Sequence, residues 1–282
     1  MSSSSSSPSP SSSRSSSPLD LDPSTLALLD SFIASKTDEE RRFNELMEQA
    51  SARLAGIDLE FDDTDTPGEI EKPMMSVDEY RLAFGEDWQL SQFWYTTSFA
   101  MHFARILHTL CTPATKIAFL CCPTAFVAFQ HIRPLKNARL LEIDGRFAVL
   151  SPGHYVPYDM EDPTALPAYL NESVDIAVLD PPFLNEHTNT NIVETLRQIM
   201  HPSQGKLIVL TSTSVESILE RLYDTAPLGP LRRTGIEVGH GQLRNDFGCW
   251  ASFEGLEELG NDPESVSGAI KEDSSESILR LQ

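Results

Sequence analysis

Asp180, Pro181, Pro182 and Phe183 stand directly behind the apolar run VDIAVL, and their types suit one kind of chemistry. Two successive prolines hold φ near −65° and remove two N–H donors, so the carbonyls of the turn remain as fixed acceptors. A nitrogen entering beside them can donate one hydrogen to the Asp180 carboxylate and another to a proline carbonyl, which turns its lone pair towards a methyl donor. The Phe183 ring can lie on a planar amide or base, or against a methylated ammonium through a cation–π contact. Positioning the amine, aligning its lone pair and excluding water are what in-line methyl transfer to nitrogen requires. As bare letters, a Pro-Pro turn is equally a structural stop. Its place after a strand decides between the two, because ligands of an open α/β sheet bind beyond the carboxyl ends of the strands.

The residues that would face a donor are more scattered. No Gly-rich loop follows the apolar run KIAFLC; Cys121, Cys122, Pro123 and Thr124 take its place at the mouth of a helix. Small side chains at a helix N-terminus still allow a carboxylate or a ribose close approach. Glu142 and Asp144 end the next strand, where an acid accepts hydrogen bonds from ribose hydroxyls. Asp159, in VPYDMEDP, is placed to read an adenine amino group. Upstream, Gln92, Phe93, Trp94 and Tyr95 precede Thr96 and Thr97. Three aromatics in four residues cannot all face one core if the segment is extended, so at least one faces a cleft. Asn245 and Asp246, in the loop opened by His240, are either substrate contacts or turn residues. His102 and His108 lie six apart on one helix, off any shared ligand face, so no metal is expected.

The elements that must position these residues follow from periodicity. Phe99, Phe103, Ile106 and Leu110 keep helical spacing. Apolar runs over 116–121, 139–143, 154–158, 174–179 and 206–210 read as five parallel strands, with helices between them around 124–131, 192–200 and 213–222. A closing antiparallel pair is expected over 233–238 and 247–253. This is an α/β chain with a Rossmann-like, doubly wound sheet of seven strands. Leu26, Leu29 and Ile33, then a capping box at Thr37 and Glu40, predict a pair of N-terminal helices over 19–57. The acid-rich 58–87 reads as a linker, 88–255 as the catalytic domain, and the Ser/Pro-rich 1–18 and acidic 256–282 as disordered tails.

Charge narrows the partners. The 282 residues carry a formal charge of −21, but residues 88–253 hold 15 acids against 12 bases, so the excess sits in the flanks. Phosphate backbones need clustered Lys and Arg, and only Arg232, Arg233 and Arg244 gather near the expected ligand edge. A nucleic-acid partner is therefore disfavoured and a basic protein partner favoured. No apolar run reaches the roughly 18 residues of a membrane span, and no secretory h-region opens the chain. Four cysteines without a CxxC indicate reduced thiols. A cytoplasmic monomer is the expectation.

At QFWY (92–95), LEIDGRF, YDMEDPTALP, DPPF (180–183) and HGQLRNDF (240–247), the chain resembles the eukaryotic lysine methyltransferases of translation elongation factor 1-alpha, a family once grouped with N6-adenine DNA methyltransferases. The resemblance spans roughly residues 26–253. It implies a seven-stranded class I methyltransferase that binds S-adenosylmethionine and modifies a lysine of that elongation factor. It also implies a distribution of roles: Gln92, Tyr95, Thr97, Cys122, Pro123, Glu142, Asp144, Asp159 and Asp180 around the cofactor, Trp94, Phe183 and Asn245 towards the substrate, and Asp180 to Phe183 at the reacting centre. The family's first loop also lacks glycines, and Phe183 stands where Tyr is frequent. An adenine-N6 methyltransferase and a non-catalytic binding fold are the alternatives. The tetrapeptide alone does not choose among them: neutralising a lysine at pH 7 costs about 4.6 kcal/mol, and a charged Asp180 would raise the amine's pKa while a dry pocket would lower it.

Overall fold

The computed structural model describes residues 22–55, 75–241, 243 and 246–256. The expected disordered tail of 1–18, the linker over 58–74, Asn245 and the acidic end beyond 256 lie outside the described residues. Among the described residues six α-helices and seven strands follow in the order α1 Pro23–Ala55, α2 Val77–Ala83, α3 Thr97–Thr109, β1 Ile117–Leu120, α4 Pro123–Ile132, β2 Ala138–Glu142, β3 Tyr155–Pro157, β4 Ile176–Leu179, α5 Glu186–Ile199, β5 Lys206–Ser212, α6 Glu216–Leu222, β6 Arg232–Arg233 and β7 Phe247–Ala251. The sheet order is β3-β2-β1-β4-β5-β7-β6. β3 to β5 pair in parallel, and β7 runs antiparallel between β5 and β6.

The central strands IAFL and IAVL are buried at every position, as expected of a sheet covered on both faces. Alternate side chains go to opposite sides. Phe119, Leu140 and Val178 meet Phe103 and Leu107 of α3 and Phe126 and Phe129 of α4 on one face. Leu120, Leu141 and Leu179 meet Ile192 and Leu196 of α5 and Leu219 of α6 on the other. Each such buried side chain contributes about 1.5–3 kcal/mol, so both layers fix the strand ends.

Three expectations are corrected. The N-terminal pair of helices is one helix, α1, begun by Asp22, whose carboxylate accepts from Ser24 N and Thr25 N at 2.9 and 3.1 Å. Nothing between Ile33 and Thr37 breaks the helix, so the Thr37 hydroxyl bonds back to Ile33 O at 2.9 Å instead of capping. Residues 75–87, assigned to the linker, contain α2, opened by a capping box between Ser76 and Glu79. Its Tyr80, with Phe84, is fully buried against Trp94 and Phe147. The strand expected over 233–238 shrinks to β6, and the following residues instead meet the QFWY segment, described below.

Candidate active site

The strand order reverses between the parallel neighbours β1 and β4, and the crevice there receives the ends of both strands. Asp180 N donates to Leu120 O at 3.1 Å, so the residue after β4 stays tied to the end of β1 and its carboxylate stands at the crevice. Pro181 and Pro182 then turn the chain. Asn185 ends the turn by accepting from Thr188 N at 2.9 Å, which starts α5. Phe183 and Leu184 are left 40% and 39% exposed on the pocket lining.

The opposite wall is built by residues far away in sequence. Tyr95 pairs with His240 in an isolated antiparallel bridge, while Thr96 N donates to Gly239 O at 2.9 Å. A Cβ on Gly239 would stand 2.9 Å from Thr96 Oγ1 and 3.3 Å from Phe99 Cβ, so this approach requires glycine. The pairing aims Tyr95 across the crevice, where its hydroxyl donates to Asp180 Oδ2 at 2.5 Å. Desolvation pushes the Asp180 carboxyl up to about 7, and the Tyr95 bond opposes that rise. Burial and the neighbouring Asp180 charge push the Tyr95 phenol well up, so it remains a donor. The His240 ring lies 4.9 Å from Tyr95 and 4.4 Å from Phe247, and burial lowers its pKa to about 4, leaving it neutral.

At the end of β1, Cys121 adopts a left-handed φ of 54°. That conformation is one glycine takes freely and an L-residue adopts at a cost of about 1–2 kcal/mol, so Cys121 makes the tight turn that a Gly-rich loop makes elsewhere. Cys122 donates its thiol to Val178 O at 3.4 Å, and Pro123 opens α4. At the end of β2, Glu142 is 4% exposed and accepts from Ile143 N and Asp144 N at 3.2 and 3.4 Å. Burial raises it to about 7 against the pull of those bonds.

The sequence-predicted Gln92, Trp94, Tyr95, Cys122, Pro123, Glu142 and Asp180 to Phe183 thus line one pocket. Thr97, Asp144 and Asp159 do not. Thr97 begins α3 and gives its hydroxyl to Asp78 of α2. Asp144 caps the turn at Gly145–Val149 and forms a bidentate ion pair with Arg146, Nε donating to Oδ1 at 3.1 Å and Nη2 to Oδ2 at 2.6 Å. Asp159 is exposed and accepts from Glu161 N; its neighbours Tyr158 and Met160 reach the pocket instead. Trp94 touches the lining, but its indole is 3% exposed, packs on Tyr80 and Phe147, and donates to Phe84 O at 2.6 Å. It belongs more to the core than to any ligand. His240, Leu243 and Phe247 complete the lining without having been singled out individually; the approach of HGQLRNDF to QFWY is a long-range pairing with no local signal.

Comparison with known proteins agrees with this architecture. The chain is similar to "Protein-lysine N-methyltransferase M142.8" of Caenorhabditis elegans, 32% identical over 61% of this chain and 80% of that protein. It is similar to "Protein-lysine N-methyltransferase EFM5" of Saccharomyces cerevisiae, 27% identical over 83% and 92%, and to human "EEF1A lysine methyltransferase 1", 27% identical over 67% and 82%. Residues 86–255 match the profile of the family described as "Probable N6-adenine methyltransferase". That match covers more than half of the chain, which therefore belongs to this family of S-adenosylmethionine-dependent methyltransferases.

Proposed function

We propose that the protein transfers a methyl group from S-adenosylmethionine to the ε-amine of a lysine, and that the lysine belongs to translation elongation factor 1-alpha, met in the cytoplasm. The observation that carries this reading is the character of the pocket. Its ionisable residues are Asp180, Glu142 and a neutral His240 beside phenols and thiols, with no Lys or Arg among the described lining residues. Such a cavity suits cations and offers nothing to a phosphodiester. The relatives above, all named as lysine methyltransferases, point the same way.

The pocket residues fit the cofactor. Glu142 accepts hydroxyl donors, the tight turn at Cys121 and the start of α4 allow close approach, and the missing basic residues suit a positively charged sulfur. When bound, S-adenosylmethionine supplies the electrophilic methyl group. The rest falls to the chain. Tyr95 fixes one oxygen of Asp180, which leaves Oδ1 to accept from the entering ammonium. Burial raises the Asp180 pKa to about 7, which brings its proton affinity nearer to that of a lysine ammonium, ordinarily about 10.4, while desolvation in the pocket lowers the amine's from the other side. In that setting Asp180 takes the ammonium proton, the N–H bond breaks towards the carboxylate, and the nitrogen lone pair is freed for the methyl carbon. A proline carbonyl holds a remaining N–H, and Phe183 screens water.

The test is transfer of tritium from labelled S-adenosylmethionine to unmodified recombinant elongation factor 1-alpha, to DNA and to RNA, each with the wild type and Asp180→Ala. Label on the protein, lost in the variant, is expected. Label on nucleic acid alone would establish the adenine enzyme instead.

A further inference from the structure

Beside the pocket the molecule exposes more apolar surface than a solvent-facing loop normally carries. Trp88 is 69% exposed, and its ring stands edge-on to Phe93 at 5.1 Å. Leu90 and Phe93 on one side, and Phe183 and Leu184 on the other, line the same pocket as Asp180. The display is built rather than loose. Asp87 accepts from Gln89 N and Leu90 N at 2.8 and 3.4 Å, its carbonyl accepts from Gln92 N at 2.9 Å, and Trp88 O accepts from Ser91 N at 3.3 Å. Ser91 takes a left-handed φ of 55° to close that turn. The turn therefore holds the indole outward while Gln92 and Trp94, the immediate neighbours of Phe93, are buried.

We propose that Trp88, Leu90, Phe93, Phe183 and Leu184 form the docking surface for the protein substrate, and that it takes a segment carrying apolar side chains beside the target lysine. This rests on the lysine reading above. A lysine reaches its pocket on a four-carbon stem of about 6 Å, so the backbone of a substrate whose amine meets Asp180 must lie across the mouth. The residues flanking that lysine then fall on this rim, whose five side chains are all apolar, four of them lining the pocket itself. Exposed tryptophan next to a functional cleft is the residue type that dominates binding energy at protein interfaces, and a patch of this kind is otherwise a liability for a free chain. Recognition is thereby assigned to apolar contact, with the acids of the pocket reserved for the amine.

The chain has three tryptophans, and Trp94 and Trp250 are 3% and 2% exposed, so Trp88 reports on docking alone. With 5-fluorotryptophan-labelled enzyme, unmodified elongation factor 1-alpha is expected to shift the ¹⁹F resonance missing from Trp88→Ala and to leave the other two in place, whereas S-adenosylmethionine alone leaves it unmoved. In steady state, Trp88→Ala raises KM for the protein substrate about tenfold while kcat and KM for S-adenosylmethionine hold. Tyr169→Ala, which removes another exposed aromatic, beside Arg139, changes none of them. An unchanged KM in Trp88→Ala, with wild-type label still on the protein, overturns the docking surface and spares the lysine reading. Label on nucleic acid overturns both. A Trp88 resonance moved by the cofactor alone, or by self-association on concentrating the enzyme, assigns the rim to another occupant and overturns the proposal.

Discussion

Tyr95 and Asp180, 85 residues apart, meet through a 2.5 Å hydrogen bond in which the phenol donates and the carboxylate accepts. The bond is one of the forces setting the acid's proton affinity: burial raises it, and Tyr95 lowers it. Tyr95→Phe removes only the second. The ring remains packed on Phe99 and His240, so the stability cost is about 1 kcal/mol. The Asp180 pKa rises beyond about 7, fewer sites are ionised at neutral pH, and the rising limb of kcat against pH moves alkaline. Rate–pH profiles from pH 6 to 9 check the shift, and a limb that stays in place would separate the phenol from the acid's titration.

Glu142 and Asp180 titrate near 7 only in the folded chain; unfolded, both return to about 4. Between those values the folded state binds more protons, so the contribution of each acid to stability is greatest at low pH and is lost as pH rises to 7. Glu142→Gln removes the penalty of burying a charge and keeps an oxygen for Ile143 N and Asp144 N. It is expected to stabilise the protein by on the order of 2 kcal/mol at pH 8 and hardly at pH 5, while weakening cofactor binding. Thermal melts at the two pH values, beside calorimetric titration with S-adenosylmethionine, check both halves.

Arg146 neutralises Asp144, whose side chain is only 7% exposed, and its Nη2 reaches Gln92 Oε1 at 3.4 Å. Arg146→Ala leaves that carboxylate with only Gln92 Nε2 and the backbone N–H of residue 146 as donors, and because the guanidinium is partly exposed the expected cost is about 1–2 kcal/mol. Adding Asp144→Ala should restore part of the loss, since the uncompensated charge goes with it. A denaturant double-mutant cycle measures the coupling, and additive losses would contradict it.

Gly239→Ala pushes a methyl group towards Thr96 and Phe99, at the crossing that aims Tyr95. The expected result is a kcat reduced about tenfold with stability lowered by 1–3 kcal/mol, read by assay and melt together. A variant that folds less well but turns over normally would show that the crossing tolerates the shift.

The strands were legible because their signal is local. Runs such as IAFL and IAVL are apolar at every position, and each βα unit repeats the pattern within about 30 residues. The strand-end position of Asp180 followed directly. Glu142 and Asp144 show where such reasoning stops: both end the same strand, but only one side chain enters the pocket, because Asp144 is consumed by Arg146 two residues on. α2 carries its own local signal, a capping box spelled by Ser76 and Glu79, inside a stretch whose acidity otherwise reads as a linker. The Tyr95–His240 bridge had no local signal at all; it exists because the chain after β6 leaves the sheet and returns over its edge.

The aromatic wedge of α2 has a consequence for modularity. The family profile begins at residue 86, but Tyr80 and Phe84 are wholly enclosed beneath that segment, and Glu39 of α1 seals Gly85 N at 2.7 Å. A chain cut at the profile's edge would open a cavity the size of two aromatic rings under the cofactor end of the sheet. The segment that the family profile matches is thus smaller than the one that packs together, and grafting 86–255 onto another scaffold would transplant a site without its keel.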